Sequence, residues 1–194
     1  MNVYDFDGTI YHGDSTRDFF KFSLKKHPAL VRYLPKQLWG FFSHYVLKRI
    51  DKTTMKQNFY CFLKGFDAEK TLDEFWDKHE KNIYPFYKEQ QKEDDIFISA
   101  SPEFLLEPIC KRLSINHLMA SRVDIKTGTY TGKNCRDEEK VKRLYEKYGK
   151  VHIDNFYSDS EADLPLVRLA DKAFLITKNG EVTSWPDEVR VNRE

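Results

Sequence analysis

The 194-residue chain is 40% hydrophobic and 32% charged, too apolar for a disordered segment and long enough for one domain with an insertion. Its 32 Lys and Arg nearly balance 31 Asp and Glu, and a net charge of +1 provides no overall field to hold nucleic acid or an anionic membrane. No run reaches the ~18 apolar residues of a membrane span, and the opening MNVYDFDG lacks the basic and apolar regions of a secretion signal. Cys61, Cys110 and Cys135 are odd in number and widely spaced, so neither a disulfide framework nor a zinc site is indicated. Reduced thiols and a cytoplasmic location are expected.

Residues 2–6 read as a short buried strand running into Asp5-Phe6-Asp7-Gly8-Thr9. Residues 14–92 read as helical. Asp14 and Ser15 offer N-cap chemistry, with Ser15 and Asp18 resembling a capping box. Pro28 suits a first turn, and a long apolar helix is expected to Ile50, bent near Pro35. Its aromatic run Trp39-Gly40-Phe41-Phe42, with Tyr45, is expected inside the core of the helical segment, a lipid slot being the other reading. Thr53 or Thr54 is expected to cap the next helix. Asp67 is expected to cap another, with Leu72, Phe75, Trp76 and His79 at helical spacing.

From Asp94 the period changes. Ile96-Phe97-Ile98 reads as a buried parallel strand. Ser101 and Pro102 open a helix through Leu113, with proline at its first position. A hairpin is expected around Thr127-Gly128-Thr129, then a helix over 136–148, a strand over 151–157, a helix over 160–170 and a strand over 173–177. This alternation predicts an α/β fold with a mainly parallel sheet, whose ligand lies beyond the carboxyl ends of the strands. The interval from Asp5 to Ser99 is more than twice that from Ser99 to Lys140. A structureless connection of that length is improbable. The expected organisation is therefore a core of residues 1–12 and 93–194, with a helical cap, 13–92, inserted after the first strand.

The strand ends concentrate one kind of chemistry. Asp5 and Asp7, two apart on extended chain, point the same way; Gly8 turns the backbone and Thr9 adds a hydroxyl. Ser99-Ala100-Ser101 stands at a helix start, where hydroxyls and free N–H groups suit an anion. Lys140 begins an amphipathic helix, and Asp159 and Asp163 lead into another. Oxygen donors of this kind suit Mg²⁺, and lysine with helix N-termini suits phosphate.

Four motifs in order, DFDGTI, ISAS, the lysine of EEKVKRL, and YSDSEADLP, resemble those of the haloacid dehalogenase superfamily in its phosphoserine-phosphatase-like branch. The resemblance implies a Rossmann-like core and a Mg²⁺-dependent phosphatase working through an aspartyl-phosphate. It implies Asp5 as nucleophile and Asp7 as the acid and base. Mg²⁺ would be held by Asp5, the Asp7 backbone carbonyl and Asp159, with Asp163 supporting directly or through water. Ser99, Ala100 and the neighbouring Gly8 and Thr9 would bind phosphate, and Lys140 would neutralise Asp5 and phosphate together. An acid at position 7 points to a phosphatase, because a departing halide needs no proton and a transport ATPase preserves its phosphoenzyme. The expected partner is a small phosphate ester such as phosphoserine, without nucleic acid. A lipid phosphate, as for phosphatidylglycerophosphatase C, and a silent Mg²⁺- or phosphate-binding module are the alternatives. The branch often carries glycine near position 137 and after Leu113, where this chain has Asp137 and Ser114.

Overall fold

Buried β-branched and aromatic residues build the sheet. In the computed structural model, which describes residues 1–186, β1 (Asn2–Tyr4) is wholly buried and lies between β2 (Ile96–Pro102) and β4 (Ile153–Ser158). With β3 (His117–Ser121), β5 (Ala170–Ile176) and β6 (Val182–Ser184), the order is β3-β2-β1-β4-β5-β6. All pairings are parallel except the antiparallel β5–β6 edge. This is the mainly parallel α/β fold that the alternating pattern predicts. The direction of winding reverses at β1, which opens the ligand crevice at its carboxyl end. There the ladder ends with Asp5 N donating to the Tyr157 carbonyl at 2.9 Å, so β1 stops before Asp5 and leaves that side chain at the strand tip.

One face of the sheet packs Val3, Ile96, Ile98 and Phe156 against Leu144 and Leu166. On the other, Tyr4 stacks on Tyr157 with ring centroids 4.5 Å apart, in a cluster continuous with Phe19, Phe62, Phe75 and Trp76 of the helical segment. Trp76 Nε1 donates to the Leu105 carbonyl at 2.8 Å across that junction. Burial of these rings supplies most of the attachment, each apolar side chain contributing roughly 1.5–3 kcal/mol.

The helical segment contains α1 (Ser15–Lys26), α2 (Leu34–Tyr45), α3 (Lys52–Phe59), α4 (Glu69–His79) and α5 (Pro85–Gln90), with 3₁₀ turns at Pro28–Tyr33, Tyr60–Gly65 and Glu80–Asn82. Several local expectations change. The α1 cap is Asp14, which accepts from Arg17 N at 2.8 Å; Ser15 is already helical. Asp51, not either threonine, caps α3 by accepting from Thr54 N at 2.6 Å. Ala68 holds the α4 cap position, and Asp67 instead accepts the Thr71 hydroxyl through its carbonyl. The helix expected to run to Ile50 is broken: a 3₁₀ turn precedes Pro35, and Lys48 has a positive φ of 52° beyond α2.

In the core, α6 (Glu103–Arg112) starts after Pro102, which is its N-cap. The 127–129 turn closes a single Val123–Tyr130 bridge rather than a hairpin of two strands. The helix expected over 160–170 is a 3₁₀ turn, Glu161–Asp163, and the short α8 (Leu164–Val167). Asp137 and Ser114 adopt positive φ of 52° and 55°, so both occupy backbone positions that favour glycine. Asp137 directly precedes α7 (Glu138–Tyr148).

The aromatic run of α2 is not core. Gln37, Gly40 and Ser43 face inward, while Leu38, Trp39, Phe41, Phe42, Tyr45 and Val46 face out. A Cβ on Gly40 would stand 2.8 Å from Asn58 Cβ, so close packing on α3 requires the small residue. Gln37 Nε2 donates to the Phe59 carbonyl at 2.8 Å. The helix expected to be apolar is amphipathic, and its aromatic run lies on the outer face rather than in the core. No helix among the described residues is long and apolar enough to cross a membrane.

Candidate active site

A cavity of about 450 Å³ opens at the carboxyl ends of β1, β2 and β4. Its wall includes Asp5, Asp7, Ser99, Ala100, Lys140, Asp159 and Asp163. Gly8 and Thr9 lie behind it. Thr9 is fully buried, and its hydroxyl accepts from Asp159 N at 3.0 Å, joining the first and last motif loops. Gly8 has a φ of +75°, and a Cβ there would collide with the Asp159 carboxylate. Only glycine suits that position on both counts.

Lys140, from the first turn of α7, places Nζ 2.8 Å from Asp5 Oδ1 and 2.7 Å from Asp163 Oδ1. The second Asp163 oxygen accepts Ser158 Oγ at 2.6 Å. Burial opposes charge on Lys140, but Asp5 and Asp163 outweigh it and raise its pKa. Asp5 is pushed up to about 7, first by burial and then by Asp163 and Asp159, against the pull of Lys140. The two partners' shifts point to opposite charge states for the pair. The geometry favours a charged lysine between two carboxylates, with burial the first cause of the Asp5 shift and the neighbouring acids adding to it. Burial, with Asp163, also raises Asp159. Three carboxylates thus surround one ammonium in a pocket of oxygen donors. That composition fits a hard divalent cation, which would relieve the surplus.

Asp7 is held separately. Its Oδ1 accepts from Ser15 N, at the start of α1, at 2.6 Å, and its Oδ2 accepts from Ser101 Oγ. The helix N-terminus favours the carboxylate, but burial, reinforced by Asp14, dominates and pushes Asp7 up to about 6. Ser101 Oγ also meets Thr16 Oγ1 at 3.1 Å, so the tip of β2 is tied to α1. Ser99 is buried and accepts from Ser101 N at 3.1 Å.

A basic part of the wall lies outside the four motifs. Arg17, Lys52, Lys56 and Arg136 line it. Lys56 Nζ donates to the Ala100 carbonyl at 3.0 Å, and burial draws its pKa down to about 8. The available signal was the i, i+4 spacing of Lys52 and Lys56 on a single helix face. Phe41 and Tyr45 complete the outer rim.

This arrangement defines a mainly parallel α/β core with an acid-rich strand-tip site. The profile of the haloacid dehalogenase-like hydrolases matches residues 3–168, and the chain belongs to that family. It is similar to the histidinol-phosphatase of Neisseria meningitidis serogroup C (strain 8013), at 22% identity over 217 residues covering 96% of each protein. Among solved structures, a protein of unknown function from Bordetella pertussis Tohama I aligns with a TM-score of 0.67 and 19% identity, over 89% of this chain and 87% of that one. A phosphoserine phosphohydrolase-like protein from Francisella tularensis subsp. tularensis SCHU S4 aligns with a TM-score of 0.56 and 16% identity, over 89% and 86%. Both structures share the fold.

Proposed function

We propose that this hydrolase cleaves phosphomonoesters through an aspartyl-phosphate on Asp5, with Mg²⁺ as its metal. The observation that carries the reading is the buried Asp5–Lys140–Asp163 bridge beside Asp159, with Asp7 two residues from Asp5 on its own set of hydrogen bonds. An Asp5 carboxylate oxygen attacks phosphorus while the ester P–O bond breaks, and Asp7 gives its proton to the departing oxygen. Asp7 then takes a proton from water, which attacks the aspartyl-phosphate, releases inorganic phosphate and restores Asp5. Lys140 offsets the charge that a phosphate dianion brings to a carboxylate. Ser99 and the Ala100 region stand where the transferred group would lie. Bound Mg²⁺, held by Asp5, Asp159, the Asp7 carbonyl and Asp163, would supply further charge neutralisation. The intact Asp5 and Asp7 pair argues against a silent binding module.

Residues 13–92 serve as the cap in this reading, shedding water and presenting Arg17, Lys52 and Lys56 to the substrate. Those cations favour a small phosphorylated metabolite with further negative charge, such as phosphoserine. The similarity to a protein named histidinol-phosphatase supports the same class. Phe41 and Tyr45 at the rim favour a second reading, an ester with an apolar arm such as a lipid phosphate. Hydrolysis of a chromogenic aryl phosphate, with Mg²⁺ and after chelation, tests the chemistry. Turnover should require the metal and nearly vanish in Asp5→Asn. Full activity after chelation, or an Asp5→Asn rate within tenfold of the parent, overturns it.

A further inference from the structure

Nine large hydrophobic residues are exposed among the described residues, and seven of them fall between Val31 and Val46. On α2, Leu38 is 64% exposed, Trp39 60%, Phe42 45% and Tyr45 63%. At 3.6 residues per turn, the outward apolar side covers an arc of about 160°. Such a patch on a water-soluble surface marks a contact.

The charge around it is one-sided. Between Asp18 and Asp51 the sequence has seven Lys and Arg and no acidic residue, in a chain whose net charge is only +1. Arg32, Lys36, Lys48 and Arg49 flank the two ends of α2, are exposed, and form no ion pair among the described residues. An apolar face rich in Trp, Phe and Leu with basic flanks fits a helix lying in a lipid interface, its cations at headgroup level. A twofold contact between two copies would instead set the same unpaired cations against each other.

We propose that α2 docks this protein peripherally on an anionic bilayer, with its axis in the membrane plane. Phe41 and Tyr45 belong both to the outward face and to the cavity rim. Docking therefore turns the mouth of the site toward the headgroups.

The test is flotation with vesicles of phosphatidylcholine alone or mixed with phosphatidylglycerol. Binding should be about tenfold or more stronger to the anionic vesicles and should weaken with salt, since each basic residue near the surface adds to the attraction. Trp76 and Trp185 are buried, so Trp39 should carry a blue shift of emission on binding. Trp39→Phe should keep flotation and lose the shift. Leu38→Ser with Phe42→Ser should lose flotation while keeping aryl phosphate hydrolysis in vesicle-free solution. Absence of flotation, equal binding to neutral vesicles, or flotation unchanged in the double variant overturns the proposal. So does light scattering that shows a dimer whose Trp39 emission is already shifted without lipid. Absence of aryl phosphate hydrolysis counts against the catalytic reading alone.

Discussion

Lys140 Nζ lies 2.8 Å from Asp5 Oδ1, although 135 residues separate the two in the chain. Neither is tolerable alone at that depth: an unpaired buried charge costs several kcal/mol, and breaking a buried pair typically about 3–5. Each charge therefore depends on the other for its place in the fold.

Lys140→Met should show both losses. Turnover should fall by about 10²–10³-fold, as for removal of one preorganised charge-stabilising group. Stability should fall by about 3 kcal/mol, at the low end for a broken buried pair because Asp5 can take up a proton. Without the ammonium, the folded-state pKa of Asp5 moves further up, so the folded form binds more protons than the unfolded. Stability then declines as pH rises, and the deficit is largest on the alkaline side. Urea denaturation at several pH values checks this; a pH-independent deficit would show that Asp5 does not absorb the lost charge.

Gly8→Ala should be worse for the site than its one methyl suggests. It combines a positive φ of 75° with a clash against the Asp159 carboxylate. The backbone strain alone is of order 1–3 kcal/mol. Calorimetric Mg²⁺ titration should show weakened affinity with the fold retained by circular dichroism; unchanged affinity would detach Gly8 from the placement of Asp159.

Asp7→Asn should discriminate between leaving groups. An alkyl ester departs as a basic alkoxide and should lose about 10²–10⁴-fold in phosphoenzyme formation. A nitrophenyl ester needs little protonation, so its first step should change far less. The second step still needs a base, so phosphoenzyme should accumulate from the nitrophenyl ester. Rapid-quench measurements decide, and equal slowing of the first step for both esters removes Asp7 from the acid role.

The pH profile should separate the two carboxyl groups. With Asp7 raised to about 6, its protonated fraction, needed for phosphoenzyme formation, shrinks as pH rises through that value. The ionised fraction needed for phosphoenzyme hydrolysis grows over the same range. Where Mg²⁺ is high enough to keep Asp5 ionised, the rate-limiting step should therefore change from hydrolysis at low pH to formation at high pH. Asp5 must be ionised to attack and is raised to about 7 without metal. A cation favours the carboxylate, so higher Mg²⁺ should move the acidic limb of single-turnover phosphoenzyme formation to lower pH. A limb that ignores Mg²⁺ would place the metal away from Asp5.

The strand-tip residues were legible because short buried apolar runs and DFDGT mark where the strands end and the chain turns. What patterning could not supply was direction. The six apolar residues of α2 have the spacing of any amphipathic helix, and only the fit of Gly40 against Asn58 shows which side faces in. The edge strand β6 is fully exposed, so it carries no burial signal. The wall cations Lys52 and Lys56 belong to no strand-end motif and join the cavity wall because α3 brings Lys56 Nζ to the Ala100 carbonyl of β2.

The placement of β1 also dictates an order of assembly. It precedes both its neighbours in the chain, and β2 and β4 lie far downstream. A ribosome that has released only the helical segment has exposed a three-residue strand with no partner on either side and an Asp5 with no lysine. Contacts of such sequence separation form slowly. Premature termination before α7 would leave the Asp5 carboxylate without its charge partner, so a nascent fragment should be unstable until Lys140 emerges.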